Sequence, residues 1–295
     1  MATSRKKIKP EETVQEAPSV SPKNKLNALT AKEWISESVS VWRQKGLGAG
    51  HPDAQIEKLH PAPFSFTDVS RIIKFFSKPG EKILDPFVGI GSSLKAAALE
   101  GRHGIGIELN PYFADLAKGR LRDEVDSSSI PDTEQVVIQG DCRAVLKDLE
   151  SESVQLVVTS PPYWNILHKK DHKAKQEREQ KGLSTRYSED DINDLGNIDD
   201  YSDFLDELVL IFGECARILE SKKHMCIVVG DFRDKSRYRM FHADLSNRLE
   251  SSTGLVLKGI TILYQPHKRL FPYGYPAAYV PNLHHQYILI FRKDN

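Results

Sequence analysis

The spacing of apolar residues changes period along the chain. Across 67–77 they fall at Val69, Ile72, Ile73 and Phe76, which is one face of a helix. Across 82–85 and 154–159 they crowd into short runs, the second without a charge, which predicts buried strands. The same reading predicts strands over 104–108, 135–139, 225–230, 256–264 and 286–292, and helices over 92–100, 110–120, 201–219 and 241–250. Strands alternating with helices imply a doubly wound α/β fold, a parallel sheet covered on both faces. Helical patterning also begins near Leu29. There Thr30 and Glu33 have the spacing of a capping box, and Trp34, Ile35, Val39, Val41 and Trp42 follow. Residues 1–28 are poor in apolar side chains and predict a disordered tail. The remainder, 29–295, reads as a single domain with insertions at about 164–200 and 265–285.

Composition narrows the function classes. The 295 residues carry 41 Lys and Arg against 41 Asp and Glu, a net charge of zero. This excludes a uniformly basic nucleic-acid binder, but not a basic face balanced by an acidic one. No apolar run approaches the roughly 18 residues of a membrane span, and no apolar leader follows Met1. Cys142, Cys215 and Cys226 form no CxxC pair, so neither a disulfide framework nor a metal site is expected. A reduced, cytoplasmic setting fits.

The first chemical motif is ILDPFVGIGSS (83–93). A buried strand ends at Asp85, and Pro86 and Phe87 follow. Gly89 and Gly91 let the backbone turn tightly beside a ligand. The next helix begins at Ser92 with free N–H groups. Glu108 ends the following strand, where an acid accepts hydrogen bonds from ribose hydroxyls. Asp141 lies just past the third strand, where a nucleoside base would sit. In order, these residues read as one nucleoside pocket.

The second motif is TSPPYW (159–164), at the end of the next buried strand. Pro161 and Pro162 stiffen the turn and leave their carbonyls as free acceptors. Ser160 adds a hydroxyl and Tyr163 a flat ring. This cluster suits a planar heterocycle with an exocyclic amine: the amine bonds to Ser160 and the Pro161 carbonyl, and the ring stacks on Tyr163. In an open α/β sheet, such strand ends share one crevice.

With both motifs in place, the sequence resembles the amino-methylating branch of the S-adenosylmethionine-dependent DNA methyltransferases. DPFVGIG (85–91) matches that family's glycine motif and TSPPY (159–163) its catalytic motif. HPAPFSF (60–66) matches the segment that holds the methionine end of the cofactor, with His60, Pro61 and Phe64 as its contacts. The resemblance spans about residues 30–295. It implies a Rossmann-like sheet of seven strands with the last antiparallel, S-adenosylmethionine as cofactor, and DNA with its target base flipped out as partner. A cognate restriction endonuclease, or a solitary role, comes with the same resemblance. Serine in the tetrapeptide is closer to the cytosine-N4 enzymes than to the adenine-N6 ones. The chain departs from the commonest pattern in two ways. The glycine motif precedes the catalytic motif, and no long separate recognition domain is present. An adenine-N6 enzyme, an RNA methyltransferase of the same fold and a non-catalytic binding module are the alternatives.

Two segments invite nucleic acid. Residues 168–186 hold seven Lys and Arg, among them Lys169, Lys170 and Lys173, against three acids. Residues 189–207 answer with nine acids and no Lys or Arg. Residues 264–285 combine Lys268 and Arg269 with Phe271, Tyr273, Tyr275 and Tyr279 and contain no acid, a pattern suited to stacking and wedging.

Overall fold

The computed structural model describes residues 19–45, 47, 50–57, 59–60, 65–125, 133–168 and 191–294. Eight strands form the main sheet: β1 (Val41–Arg43), β2 (Lys82–Asp85), β3 (His103–Glu108), β4 (Gln135–Gln139), β5 (Val154–Thr159), β6 (Leu219–Val229), β9 (Leu255–Tyr264) and β10 (His285–Lys293). Their spatial order is β1-β9-β10-β6-β5-β2-β3-β4. All neighbours pair in parallel except β10, which runs antiparallel to both β6 and β9. The seven expected strands and the antiparallel last one are therefore present. The eighth is β1, a three-residue addition that extends the edge beside β9.

Alternation along the strands builds two cores, because successive side chains point to opposite faces. Ile83, Leu156, Val158, Cys226 and Val228 face one way and pack on α3 (Phe66–Phe76) through Val69, Ile72 and Ile73. Leu84, Val157, Met225 and Ile227 face the other way. They meet α7 (Tyr201–Ile218) and α8 (Phe241–Thr253) through Phe204, Leu208, Phe212 and Phe241. Helices α4 (Ser92–Leu99) and α5 (Pro111–Glu124) follow β2 and β3 as the pattern predicts. A hairpin of β7 (Phe232–Asp234) and β8 (Arg237–Arg239) lies beyond β6.

Several expectations need correction. The capping box at Thr30 and Glu33 forms, but the helix it starts, α1 (Ala31–Glu37), stops after seven residues. Val41 and Trp42 belong to β1, where Trp42 alternates inward between two exposed neighbours. The disorder expected through residue 28 fails at its end. Asn27 is buried and its amide donates to the Phe75 carbonyl (2.6 Å), while Lys78 Nζ donates to the Asn24 carbonyl. Residues 1–18 lie outside the described residues. Two short helices, α2 (Pro52–Glu57) and α6 (Cys142–Asp148), fall where no helix was expected. They are too short to show a period. No described helix is long and apolar enough to cross a membrane.

Candidate active site

Strand order reverses at β2, whose neighbours are β3 and β5. The loops after β2 and β5 therefore leave the sheet side by side. A direct bond joins them: Thr159 Oγ1 donates to Asp85 Oδ1 (2.5 Å). Asp85 also accepts from the Phe87 N–H (3.0 Å) and from Ser93 Oγ (2.5 Å). Burial pushes its carboxyl up to about 6, against the pull of these three donors. Expected among the cofactor contacts, Asp85 instead faces inward and ties the glycine turn to the end of β5.

The turn itself needs its glycines. Gly89 and Gly91 have φ of +53° and +83°. A Cβ on Gly89 would come within 3.3 Å of the His60 ring, and one on Gly91 within 3.1 Å of Ala117 in α5. Ser92, expected beside the cofactor, is buried and accepts from Arg120 (2.9 Å) instead. Arg120 belongs to an ion cluster behind the turn. Lys95 Nζ donates to Asp53 (2.7 and 2.9 Å) and to Glu124 (2.7 Å). Arg120 binds Asp53 and, through Nε, Glu124 (3.0 Å). This cluster joins α2, α4 and α5. None of its members was singled out in the sequence, because their partners are up to 67 residues away.

In front of the turn lies a cleft of about 690 Å³. His60, Pro86, Phe87, Glu108, Asp141, Ser160, Pro161 and Pro162 line it, so residues from both motifs share one space. Glu108 sits between two backbone donors, the Gly89 N–H (2.9 Å) and the Asn110 N–H (2.8 Å), one on each carboxylate oxygen. Burial pushes its carboxyl up to about 7. Asp141 caps α6 and binds Arg143, which also reaches Glu207 (3.0 Å) and the Asn193 carbonyl (3.0 Å). That clamp brings Asn193, Asp194 and Leu195 to the cleft. Sequence reasoning missed these three as site residues, because the acidic run around them was read as a counterweight to the basic loop before it. Ile107, Leu109, Gly140 and Cys142 complete the lining. Burial pushes the Cys142 thiol up to about 12, which removes it as a nucleophile.

Tyr163 does not line this cleft. Its ring lies against Phe241 (6.2 Å between centroids). Gln286 Nε2 donates to its hydroxyl (2.8 Å), which also lies in hydrogen-bond reach of the Ser160 side chain and the Gly230 N–H. Pro61, Phe64, Lys169, Lys170 and Lys173 lie outside the described residues. Lys268 and Arg269 are exposed on the loop between β9 and β10. Among the described residues no cluster of His, Cys, Asp and Glu is disposed to hold a metal ion.

A family model described as DNA methylase, covering the N6 and N4 enzymes, matches residues 2–119 and 154–295. The chain belongs to this DNA methylase family. Both motif loops fall within the matched residues, while β4, α6 and Asp141 fall in the unmatched stretch between them. Among curated relatives, the type II methyltransferase M.ScaI of Streptomyces caespitosus is 36% identical over 88 residues, 30% of this chain and 29% of its own. The orphan methyltransferase M.BamHII of Bacillus amyloliquefaciens is 33% identical over 89 residues, 29% of this chain and 32% of its own. The chain thus matches about a third or less of the length of these relatives. A Thermus thermophilus protein, TTHA0409, solved in complex with S-adenosyl-L-methionine, is 32% identical. It covers 53% of this chain and 54% of its own, with a TM-score of 0.37.

Proposed function

We propose that this protein transfers a methyl group from S-adenosylmethionine to the exocyclic N4 amine of cytosine in DNA. The observation that carries this reading is the shared cleft, where Ser160 and Pro161 face the same space as Phe87 and Glu108. The residues fit the cofactor. Glu108 keeps free lone pairs for ribose hydroxyls after taking one backbone N–H on each oxygen. Phe87 offers a ring to the adenosine, Asp141 an acceptor at the base end, and His60 a wall at the methionine end. When bound there, the cofactor supplies an electrophilic methyl on its sulfonium.

The chain's own work is positioning. An exocyclic amine on an aromatic base is a poor nucleophile, because its lone pair delocalises into the ring. The Ser160 oxygen and the Pro161 carbonyl accept the two amine hydrogens and turn the nitrogen toward tetrahedral geometry, freeing the lone pair. Tyr163, next in sequence to the cleft-lining Pro162 and held through its hydroxyl, is assigned to stack on the base. Such alignment is worth on the order of 7–11 kcal/mol of barrier. The amine reaches the cleft only if the base is single-stranded or flipped from the duplex. Lys268 and Arg269, with the basic run containing Lys169, Lys170 and Lys173, are assigned to phosphates. A DNA substrate and three buried free cysteines fit a cytoplasmic enzyme, acting beside a cognate restriction endonuclease or alone.

The test is transfer of labelled methyl from S-adenosylmethionine onto duplex DNA, single-stranded DNA and RNA, with the product nucleoside identified. The expected product is N4-methylcytosine in DNA. N6-methyladenine would move the assignment to the other branch of the family, and no transfer to any nucleic acid would end it. Ser160→Ala and Tyr163→Ala are expected to lower transfer at least about 100-fold, with cofactor affinity within about twofold of the parent.

A further inference from the structure

Beyond the cleft, the residues that hold Tyr163 have a common property. Gly230, Phe241 and Gln286 touch it, and each is followed in sequence by a member of one polar cluster: Asp231, His242 and Tyr287. Asp231 leaves the end of β6 with its side chain only 2% exposed. Its Oδ1 lies 2.7 Å from His242 Nδ1 and accepts the His242 backbone N–H (3.2 Å). Its Oδ2 accepts from Tyr238 (3.0 Å), and Tyr287 also bonds to it. Tyr287 stacks on the His242 ring at 3.9 Å and 18°.

These contacts dictate the tautomer. An ionised carboxylate accepts only, so His242 Nδ1 carries the proton and Nε2 carries the lone pair. Nε2 has no hydrogen-bond partner among the described residues, and the side chain retains 18% of its exposure. A buried acid that fixes one imidazole nitrogen and leaves the other open is the arrangement of a general base. The sequence neighbour of His242, Phe241, packs against Tyr163, the ring assigned to the target base.

We propose that His242 accepts the proton released by the amine, with Asp231 as its positioning residue. This rests on the amino-methylation reading. Once the nitrogen has bonded the methyl group, it carries one proton too many. Neither the Pro161 carbonyl nor an already hydrogen-bonded serine is a base strong enough to retain it. One N–H bond on the substrate breaks and one forms at Nε2. The positive charge passes to the imidazolium beside the Asp231 carboxylate, and the proton leaves to water after product release. Asp231, two residues past β6, and Tyr287 of β10 contact His242 directly, and Tyr238 of β8 and His285 of β10 bond these two in turn. Arg233, His284 and Lys268 lie further out.

The experiment is the pH profile of methyl transfer from labelled S-adenosylmethionine to unmethylated genomic DNA, for the parent, His242→Gln, His242→Ala and Asp231→Asn. The parent is expected to lose rate toward acid pH, as a reaction that needs a neutral base does. His242→Gln is expected to lower kcat about 100-fold, to leave the cofactor KM within twofold, and to erase that acid limb. Added imidazole is expected to restore part of the rate of His242→Ala. Asp231→Asn, which presents the wrong tautomer, is expected to lower kcat and shift the limb. If His242→Gln keeps the parent's limb, or its lost rate tracks lost cofactor binding with the profile unchanged, the proposal is overturned. If the parent itself transfers no methyl, the underlying functional reading has failed instead.

Discussion

Glu108 is held by two backbone donors, yet its carboxyl is pushed up to about 7 because it sits where water is scarce. The sign has two consequences. In the free protein the raised value favours the protonated form, so stability is fullest below the ordinary value of 4.5 and falls as pH rises through about 7. Cofactor binding runs the other way, since the carboxylate is the better acceptor for two ribose hydroxyls. Calorimetric titration is expected to show S-adenosylmethionine affinity rising from pH 6 to pH 8. Glu108→Gln is expected to weaken binding at least about tenfold at pH 8 and to flatten this dependence. An affinity that falls with rising pH would remove Glu108 from the ribose. The identity of this residue was legible from its place 23 positions after Asp85 at a strand end. Its charge state was not, because that depends on what covers it.

At the level of elements, α2, α4 and α5 are joined by charge rather than by apolar packing alone. Burial works to raise the Asp53 carboxyl, and Lys95 and Arg120 overcome it and hold it below the usual range. Removing one partner leaves the others buried without compensation, which costs about 3–5 kcal/mol. Arg120→Ala is therefore expected to lower the unfolding free energy in urea by that amount, and to slacken the glycine turn through loss of its bond to Ser92. An unchanged urea midpoint would show that the cluster contributes nothing net. The long strands and helices were readable because each repeats its period over enough residues to register. Asp141 is instructive. It was read from its strand-end position and lines the cleft, but its capping bond to Arg143 N–H, which marks the start of α6, went unread.

At the scale of the whole molecule, a net charge of zero conceals an uneven surface. The loop between β9 and β10 exposes Lys268, Arg269, Leu270, Tyr275 and Tyr279 with no acid among them. DNA affinity measured against salt is expected to give a log–log slope smaller by about 2 when Lys268 and Arg269 are both changed to Ala, since each phosphate contact contributes about 0.9. An unaltered slope would take this loop off the phosphates. The sequence by itself determined the alternation of strand and helix, the two motifs and the order in which they occur, because these are set by local period and by residues close together in the chain. Tertiary structure alone decided that Asp85 faces Thr159 across 74 residues, that Asn193 to Leu195 reach the cleft, and that β1 joins the sheet. It also decided that Asp231 bonds His242, whose neighbour Phe241 packs on Tyr163. The physical reason is common to all four: each depends on burial and on partners beyond the local period of a helix or strand, from 11 residues away upward, and neither leaves a repeating trace along the chain.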